Sequence, residues 1–117
     1  MNNKQLRALF PLSQKVRLYV PSTVNIDEAT DNTEHVEQTL KMFGELFGGA
    51  TSYEALGAWN GSNGKLVQER VTIIESYANR LEPTNIIQVI DYAKQLCKNM
   101  SQDAIAVEVN GSMGFIS

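Results

Sequence analysis

The chain has little of what builds covalent cross-links and metal centres. It has 117 residues, with one cysteine, Cys97, and one histidine, His35. A single cysteine excludes an intrachain disulfide and favours a reducing compartment. Zinc and other transition metals need several histidine, cysteine or carboxylate ligands at defined spacings, and neither residue has such partners along the chain. We therefore expect no metal ion and no cofactor.

Cationic residues are also few. Ten lysines and arginines stand against 13 aspartates and glutamates, for a formal net charge of -3. General binding to nucleic acid needs a surplus of cations to neutralise phosphates, so direct nucleic-acid binding is not expected. No run approaches the ~18 consecutive apolar residues of a membrane helix, and the first residues lack the apolar segment of a signal peptide. The sequence predicts a cytoplasmic protein without a membrane partner.

The remaining composition is that of an ordinary globular domain. Hydrophobic residues make up 43% and charged residues 20% of the chain, enough to bury a core. The length fits one domain. We expect a mixed lead-in segment at residues 1–14 and a single domain at residues 15–117.

The sequence pattern in the first half of the domain predicts a strand followed by a helix. Apolar and polar residues alternate over 15–20, and Pro21 ends the strand. Residues 22–32 are polar and predict a loop. Asp31, as a capping oxygen, and Glu34 three positions later are a helix-start signal. Apolar residues follow at positions 36, 40, 43 and 47 on one helical face, and a glycine pair at 48–49 supplies the stop.

The second half begins with a β-hairpin. Two segments rich in β-branched and aromatic residues, 51–59 and 66–77, flank a turn of asparagine, glycine and serine at 60–64. Pro83 then opens a second helix. Residues 105–109 alternate again, and Asn110-Gly111 predicts a tight turn into a short last strand.

The predicted order is β-α-β-β-α-β plus a short C-terminal strand. This is the ferredoxin-like, split βαβ order, so we expect an α+β fold whose antiparallel sheet carries two helices on one face. The other face then needs a cover. Residues 1–14 or a second copy of the chain could supply it, and we favour a homodimer.

No catalytic constellation stands out, so we expect no enzyme. Cys97 lies on the predicted apolar face of the second helix without an activating base, which is typical of a core residue. The run Asn60–Lys65 is superficially like a phosphate-binding loop. A P-loop, however, continues with a hydroxyl residue and a helix, whereas Leu66 and a strand follow here.

An acidic stretch is the first candidate surface. It comprises Asp27, Glu28, Asp31, Glu34 and Glu37. Such a surface could mimic nucleic-acid phosphates and occupy a groove on a partner. The ordinary explanation is that acids near a helix start complement the helix dipole.

The open sheet face is the second candidate, as a pocket lined by Tyr53, Trp59, Glu69 and Arg70. Regular strand geometry places Glu69 and Glu75 on one side, where apolar neighbours can raise the pKa of a carboxyl group and suit it to proton transfer. The ordinary explanation is a surface carboxylate paired with Arg70 or Arg17.

Four strand and turn motifs resemble those of uncharacterised small ferredoxin-like proteins carried by phages and mobile genetic elements. The motifs are Val16–Thr23, Phe47–Thr51, Leu56–Trp59 and Glu108–Gly111. The resemblance covers most of the chain from about Lys15 onward. It implies the fold and no catalytic residue. It also implies a context, because small proteins of this origin often bind and block host machinery, including nuclease-based defences.

The leading hypothesis is accordingly a non-enzymatic binding protein. It would act on a host protein, such as a nucleic-acid-binding nuclease complex, as anti-CRISPR proteins do. The alternative is a small-molecule-binding domain or a small dimeric enzyme that uses the open sheet face.

Overall fold

The computed structural model describes residues 2, 4, 5, 9, 11–24 and 28–117. Its elements, in chain order, are β1 (Gln14–Pro21), β2 (Thr23–Val24), β3 (Glu28–Ala29), α1 (Thr33–Phe47), β4 (Thr51–Asn60), β5 (Leu66–Ala78), α2 (Pro83–Asn99), β6 (Ile105–Val109) and β7 (Ser112–Ile116). Five strands form one antiparallel sheet in the order β4-β5-β1-β6-β7. The predicted α+β, ferredoxin-like arrangement with an additional C-terminal strand is confirmed.

Strand β1 lies at the centre of the sheet, and its alternation separates the two faces. Val16, Leu18 and Val20 are fully buried in the core beneath the helices. Because successive side chains point to opposite sides, Arg17 and Tyr19 lie on the other face, which we call the open face. The alternation predicted for this strand is therefore confirmed.

The two helices pack together over the buried face. Helix α1 buries Thr39 and Phe43, and helix α2 buries a stripe that includes Ala93 and Cys97. The hydroxyl oxygens of Thr39 and Tyr92 are 2.7 Å apart, so a hydrogen bond joins the helices. Burial raises the pKa of the Tyr92 hydroxyl, and the Thr39 hydrogen bond opposes that rise only in part. Cys97 is a core residue, as its position on the apolar stripe predicts.

The segment between β1 and α1 differs from the predicted loop. Strands β2 and β3 pair as a small two-stranded sheet, and residues 25–27 lie outside the described residues. Helix α1 begins at Thr33, with Asn32 at the N-cap position. Asp31 Oδ1 still accepts a hydrogen bond from the Thr33 N–H at 3.0 Å. The Asn32 side-chain amide donates to the Pro21 carbonyl oxygen at 3.0 Å instead of capping the helix, which ties the helix start to β1.

The predicted turn between β6 and β7 is confirmed. Asn110 and Gly111 have φ angles of 52° and 87°, and a type I′ turn requires positive φ at both central positions. Asn110 also accepts a hydrogen bond from the Lys15 N–H on its Oδ1 at 2.8 Å. The turn is thereby fastened to the beginning of β1.

Candidate functional site

A charged cluster occupies the middle of the open face. Arg17 on β1 lies directly opposite Glu75 on β5 and Glu108 on β6. Its Nε donates to Glu75 Oε2 at 2.5 Å, and its Nη1 donates to Glu108 Oε2 at 3.0 Å. The three side chains are 24%, 12% and 13% exposed. The sequence suggested Arg17 as a partner for Glu75, but it did not indicate that Glu108 joins them.

Tyr53 on β4 extends this cluster. Its hydroxyl donates to Glu75 Oε2 at 3.1 Å. Burial tends to raise the pKa of Glu75, but the hydrogen bonds from Arg17 and Tyr53 and the charges of Arg17 and Lys15 outweigh it, so the pKa falls below its ordinary value. Burial and the neighbouring carboxylate raise the pKa of Tyr53. Glu75 is therefore a stable anion and is poorly suited to be a proton acceptor near neutral pH.

Large apolar side chains surround the cluster on the same face. The register pairs Tyr53 with Ile73 and Trp59 with Val67 across β4 and β5, and these odd-numbered positions lie opposite the buried Ile74 side. Trp59 therefore faces the open side of the sheet and is 48% exposed. The open face thus carries both aromatic rings and carboxylates.

Open space lies over the backbone of Gly57, on the same face as Trp59, and we call it the gap beside Trp59. Gly57 pairs with Glu69 in the register, two positions from Trp59. A methyl group placed on Gly57 would contact only the Glu69 carbonyl oxygen within 4 Å, at 3.6 Å. Glu69 Oε1 accepts a hydrogen bond from the Thr23 hydroxyl at 2.8 Å, and in the described part of the chain its other carboxylate oxygen has no hydrogen-bond donor. The register therefore places an aromatic residue two positions from Gly57 and a carboxylate residue directly opposite it, on the same face as the gap.

The predicted pocket of four residues does not form as one unit. Arg70 pairs with Leu56 and lies on the opposite side of the hairpin from Glu69, because adjacent strand residues alternate. Tyr53 and Trp59 share a face but lie six positions apart, which is roughly 20 Å along a strand. The structure keeps Trp59 and Glu69 together, places Tyr53 with the Arg17 cluster, and separates Arg70 from all three.

Arg70 belongs instead to a shallow polar cleft between the hairpin and the start of α1. The cleft has a volume of about 230 Å³ and continues into a second depression of about 340 Å³. Asp31, Glu54 and Arg70 line the first part, and Glu37 lines the second. The cleft brings charged groups of both signs together, and Tyr53 lines its second part.

The acidic surface is solvent-exposed where the structure describes it. Asp27 lies outside the described residues. Glu28, Asp31, Glu34 and Glu37 are all exposed, and within the described ranges none of them forms an ion pair. Hydrogen bonds from the Thr33 side chain and backbone lower the pKa of Asp31. Part of this surface therefore organises the start of α1, as the ordinary explanation predicts.

The described residues contain no cluster of three or more histidine, cysteine, aspartate or glutamate side chains with metal-binding geometry. Neither α1 nor α2 has the length and apolar character needed to cross a membrane; this finding applies to residues 11–24 and 28–117 and the few described before them.

Comparison with known proteins identifies the architecture. No family model matches the chain, and no curated protein matches it. Among solved structures, the chain is similar to a phage SAM lyase in complex with S-methyl-5'-thioadenosine, with 18% identity and a TM-score of 0.65 over 89% of this chain and 88% of that chain. It is similar to a phage SAM lyase in the apo state with 20% identity and the same TM-score, over 92% and 90% of the two chains.

A third solved structure shares the fold over a part of its length. A Bacillus cereus protein related to NIF3 matches 96% of this chain with 16% identity and a TM-score of 0.52. The match spans 34% of that protein. At these identities, all three likenesses establish the fold.

The likeness corrects one prediction. From the lack of a catalytic constellation we expected a protein without enzymatic activity, and this expectation is wrong. A chain of nearly the same extent and architecture is a lyase. The sequence reasoning had weighed Cys97, the run Asn60–Lys65 and the Glu69/Glu75 carboxylates and had found no motif specific enough to indicate an enzyme.

Proposed function

We propose that the chain is a small enzyme that binds S-adenosylmethionine and breaks a carbon–sulfur bond in it. One observation carries the proposal. The fold agrees over about nine-tenths of both chains with that of a phage SAM lyase whose structure contains S-methyl-5'-thioadenosine. This compound is the neutral thioether that remains when S-adenosylmethionine loses its amino-acid arm.

The gap beside Trp59 has the chemistry that such a substrate requires. A purine ring stacks on an aromatic side chain, and the Trp59 ring is accessible on the open face. A carboxylate accepts hydrogen bonds from the two ribose hydroxyls, and Glu69 holds one oxygen without a donor in the described residues. The positive sulfonium is attracted to both groups. We assign the nucleoside to Trp59, Gly57 and Glu69.

The reaction needs no cofactor. The bond between the sulfonium sulfur and the methionyl γ-carbon breaks, and its electron pair moves to sulfur, which becomes a neutral thioether. The γ-carbon is satisfied within the same fragment in one of two ways. Its own carboxylate attacks it and closes a lactone, or the β-carbon gives a proton to a basic side chain or to buffer, which leaves an alkene. Both routes conserve all atoms without water. A site that excludes water favours bond cleavage, because the positive charge on sulfur is lost as the bond breaks.

Incubation of the purified chain with S-adenosylmethionine, followed by mass spectrometry, tests the proposal. The expected products are S-methyl-5'-thioadenosine and a four-carbon amino-acid fragment. The lactone and the alkene are isomers of equal mass, and treatment with base distinguishes them because only the lactone takes up water as its ring opens. Absence of both the products and any binding of S-methyl-5'-thioadenosine would overturn the proposal.

Binding can be measured directly because Trp59 is the only tryptophan. We expect S-methyl-5'-thioadenosine to change the Trp59 emission. Loss of base stacking costs ~1–3 kcal/mol, so Trp59→Ala should weaken binding at least several-fold when measured by calorimetry. Glu69→Gln should also weaken binding, because it removes the carboxylate that is proposed to accept hydrogen bonds from the ribose hydroxyls. Arg80→Ala is a suitable control, because Arg80 is exposed and pairs only with Glu82 in the described residues.

An action against host defence is a second candidate function, favoured by the exposed acidic surface and by the phage origin of the similar lyase. Two routes are open. The enzyme could remove the methyl donor that host systems require, or the acidic surface could bind a host protein. Expression in cells that carry a nuclease-based defence separates them. Loss of protection with Glu69→Gln supports the first route, whereas loss with Glu28, Asp31 and Glu34 all changed to Ala supports the second.

A further inference from the structure

The Glu69 carboxylate is held by a residue from outside its own hairpin. Thr23 on β2 donates its hydroxyl proton to Glu69 Oε1 at 2.8 Å, although the two residues lie 46 positions apart in the chain. Both residues are half-buried. A threonine hydroxyl has a single proton to donate, and here the carboxylate receives it. Thr23 therefore restricts the positions that the Glu69 side chain can take.

The register of the sheet explains why Thr23 reaches Glu69. Strand β1 pairs with β5 as far as Pro21, and the same antiparallel register, continued by two residues, places Thr23 opposite Glu69. The Ser22 hydroxyl donates to the Arg70 carbonyl oxygen, so the chain still follows β5 after β1 has ended. The contact between Thr23 and Glu69 is thus a continuation of the central strand pairing.

A further hydrogen bond fixes the Thr23 backbone. The Gln102 side-chain amide donates to the Thr23 carbonyl oxygen at 2.8 Å and to the Met100 carbonyl oxygen at 3.3 Å. Each of its two protons therefore has an acceptor. Met100 directly follows α2 and is fully buried. Gln102 thereby ties Thr23 to the core, and Thr23 in turn holds Glu69.

A carboxylate that is already held is better prepared to bind a ligand than a freely rotating one. A glutamate side chain loses rotamer freedom when a ligand immobilises it, and this loss lowers the affinity. Thr23 occupies Oε1 of Glu69, whereas no donor from the described ranges reaches the other oxygen. A ligand hydroxyl can therefore bind that oxygen without having to order the side chain first.

We infer that Thr23, anchored by Gln102, is a positioning residue that orients Glu69 toward the ribose hydroxyls of the substrate. The inference rests on the proposed function, because it takes Glu69 as the group that binds the ribose. Thr23 itself does not contact the reacting atoms. Its effect on binding is therefore expected to pass through Glu69 alone.

Calorimetric titration with S-methyl-5'-thioadenosine tests the inference. Thr23→Val keeps the β-branched shape and removes the hydroxyl, and it should lower the affinity about twofold to tenfold, the cost of ordering one flexible side chain. Thr23→Ser retains the hydroxyl and should restore most of the affinity. Gln102→Leu should cause a smaller loss, because it acts through Thr23. Equal affinities of Thr23→Val and the unaltered chain would overturn the inference.

Ser22→Ala is the matched control. Ser22 links the same two segments one position away, but its hydroxyl donates to the Arg70 carbonyl oxygen and not to Glu69. This variant should bind S-methyl-5'-thioadenosine like the unaltered chain. If Ser22→Ala and Thr23→Val lower the affinity equally, Thr23 only fastens the chain to β5, and the inference is overturned.

A double-mutant cycle in urea unfolding separates this inference from the proposed function, because no ligand takes part. The loss in the free energy of unfolding on Thr23→Val should largely vanish once Glu69 is changed to alanine, since the two side chains act through one hydrogen bond. Additive losses would overturn the inference even in a chain that binds S-methyl-5'-thioadenosine. Coupled losses in a chain that does not bind it would overturn the proposed function and leave Thr23 as a structural partner of Glu69 only.

Discussion

Arg17 Nε donates to Glu75 Oε2 at 2.5 Å across two neighbouring strands. The two residues lie 58 positions apart in the chain and directly opposite each other in the β1–β5 register. The guanidinium also donates to Glu108, 91 positions away. One side chain thus links three strands from three parts of the chain, on a face that no helix of the described residues covers.

Substitution of Arg17 by alanine should destabilise the fold. It leaves two poorly exposed carboxylates next to each other without a counter-ion, and removal of one partner of a buried ion pair costs ~3–5 kcal/mol. Because these groups retain some exposure, solvent reduces the loss, and we expect about 1–3 kcal/mol in the free energy of unfolding. Urea unfolding monitored by circular dichroism measures it.

Arg80→Ala is the control for that measurement. Arg80 pairs with Glu82 at 3.1 Å, but the two side chains are 79% and 50% exposed. Ion pairs of this kind contribute ~0–1 kcal/mol. If Arg17→Ala and Arg80→Ala lower the free energy of unfolding equally, burial does not strengthen the ion pairs of Arg17.

The same cluster predicts how stability depends on pH. The pKa of Glu75 is lower in the folded chain than its ordinary value of 4.5, so the folded state binds this proton less tightly than the unfolded state. Its contribution to stability is therefore complete above pH 4.5 and is lost as pH falls through the lowered pKa. Urea unfolding between neutral and acidic pH should show a smaller decline for Glu75→Gln than for the unaltered chain. If the free energy of unfolding falls equally with pH in both chains, the pH dependence does not come from Glu75.

The periodicity of the sequence was sufficient to predict the fold. The alternation around Leu18, the apolar helical face that contains Phe43 and the Asn110-Gly111 turn are local signals, and each has the structure that it predicts. The start of α1 has no such unique local signal. Asp31 and Asn32 both have side chains that can cap a helix. In the structure Asp31 accepts the hydrogen bond from the Thr33 N–H, whereas Asn32 donates to the Pro21 carbonyl oxygen on strand β1.

The candidate site was predicted only in part, because it depends on register between strands. Trp59 and Glu69 lie close together since the hairpin pairs Gly57 with Glu69, and the sequence placed both in one pocket. The inclusion of Arg70 was wrong, because adjacent residues of a strand face opposite sides. The Glu108 contact lies 91 positions from Arg17, and no local pattern predicts a pair so distant in the chain.

Two glycines, one within α1 and one directly after it, should respond to alanine with opposite changes in stability. Gly48 ends the helix at a φ of 93°, where an L side chain is strained, whereas Gly44 lies within the helix. Neither position has a neighbour within 4 Å of an added methyl group. Gly44→Ala should therefore stabilise by ~0.5–1 kcal/mol, and Gly48→Ala should destabilise by ~1 kcal/mol. Thermal unfolding of the two variants measures both. If both variants change the stability in the same direction, the left-handed conformation of Gly48 does not explain why α1 ends there.

The gap beside Trp59 can be filled without disturbing the fold. Gly57 lies in a strand, and an added methyl group would meet only ordinary contact at 3.6 Å. Valine suits a strand, so Gly57→Val should leave stability unchanged or raise it by up to ~1 kcal/mol. It should nevertheless weaken binding of S-methyl-5'-thioadenosine at least about tenfold, because its methyl groups occupy the space assigned to the nucleoside.

Ala58→Val is the matched control for Gly57→Val. It adds a similar volume one position along the same strand, but on the side away from Trp59 and Glu69. Calorimetric titration should give unaltered affinity for this variant and strongly reduced affinity for Gly57→Val. If both variants bind the nucleoside like the unaltered chain, the substrate lies elsewhere. The polar cleft lined by Asp31, Glu54 and Arg70 would then be the next place to test, with Arg70→Ala as its variant.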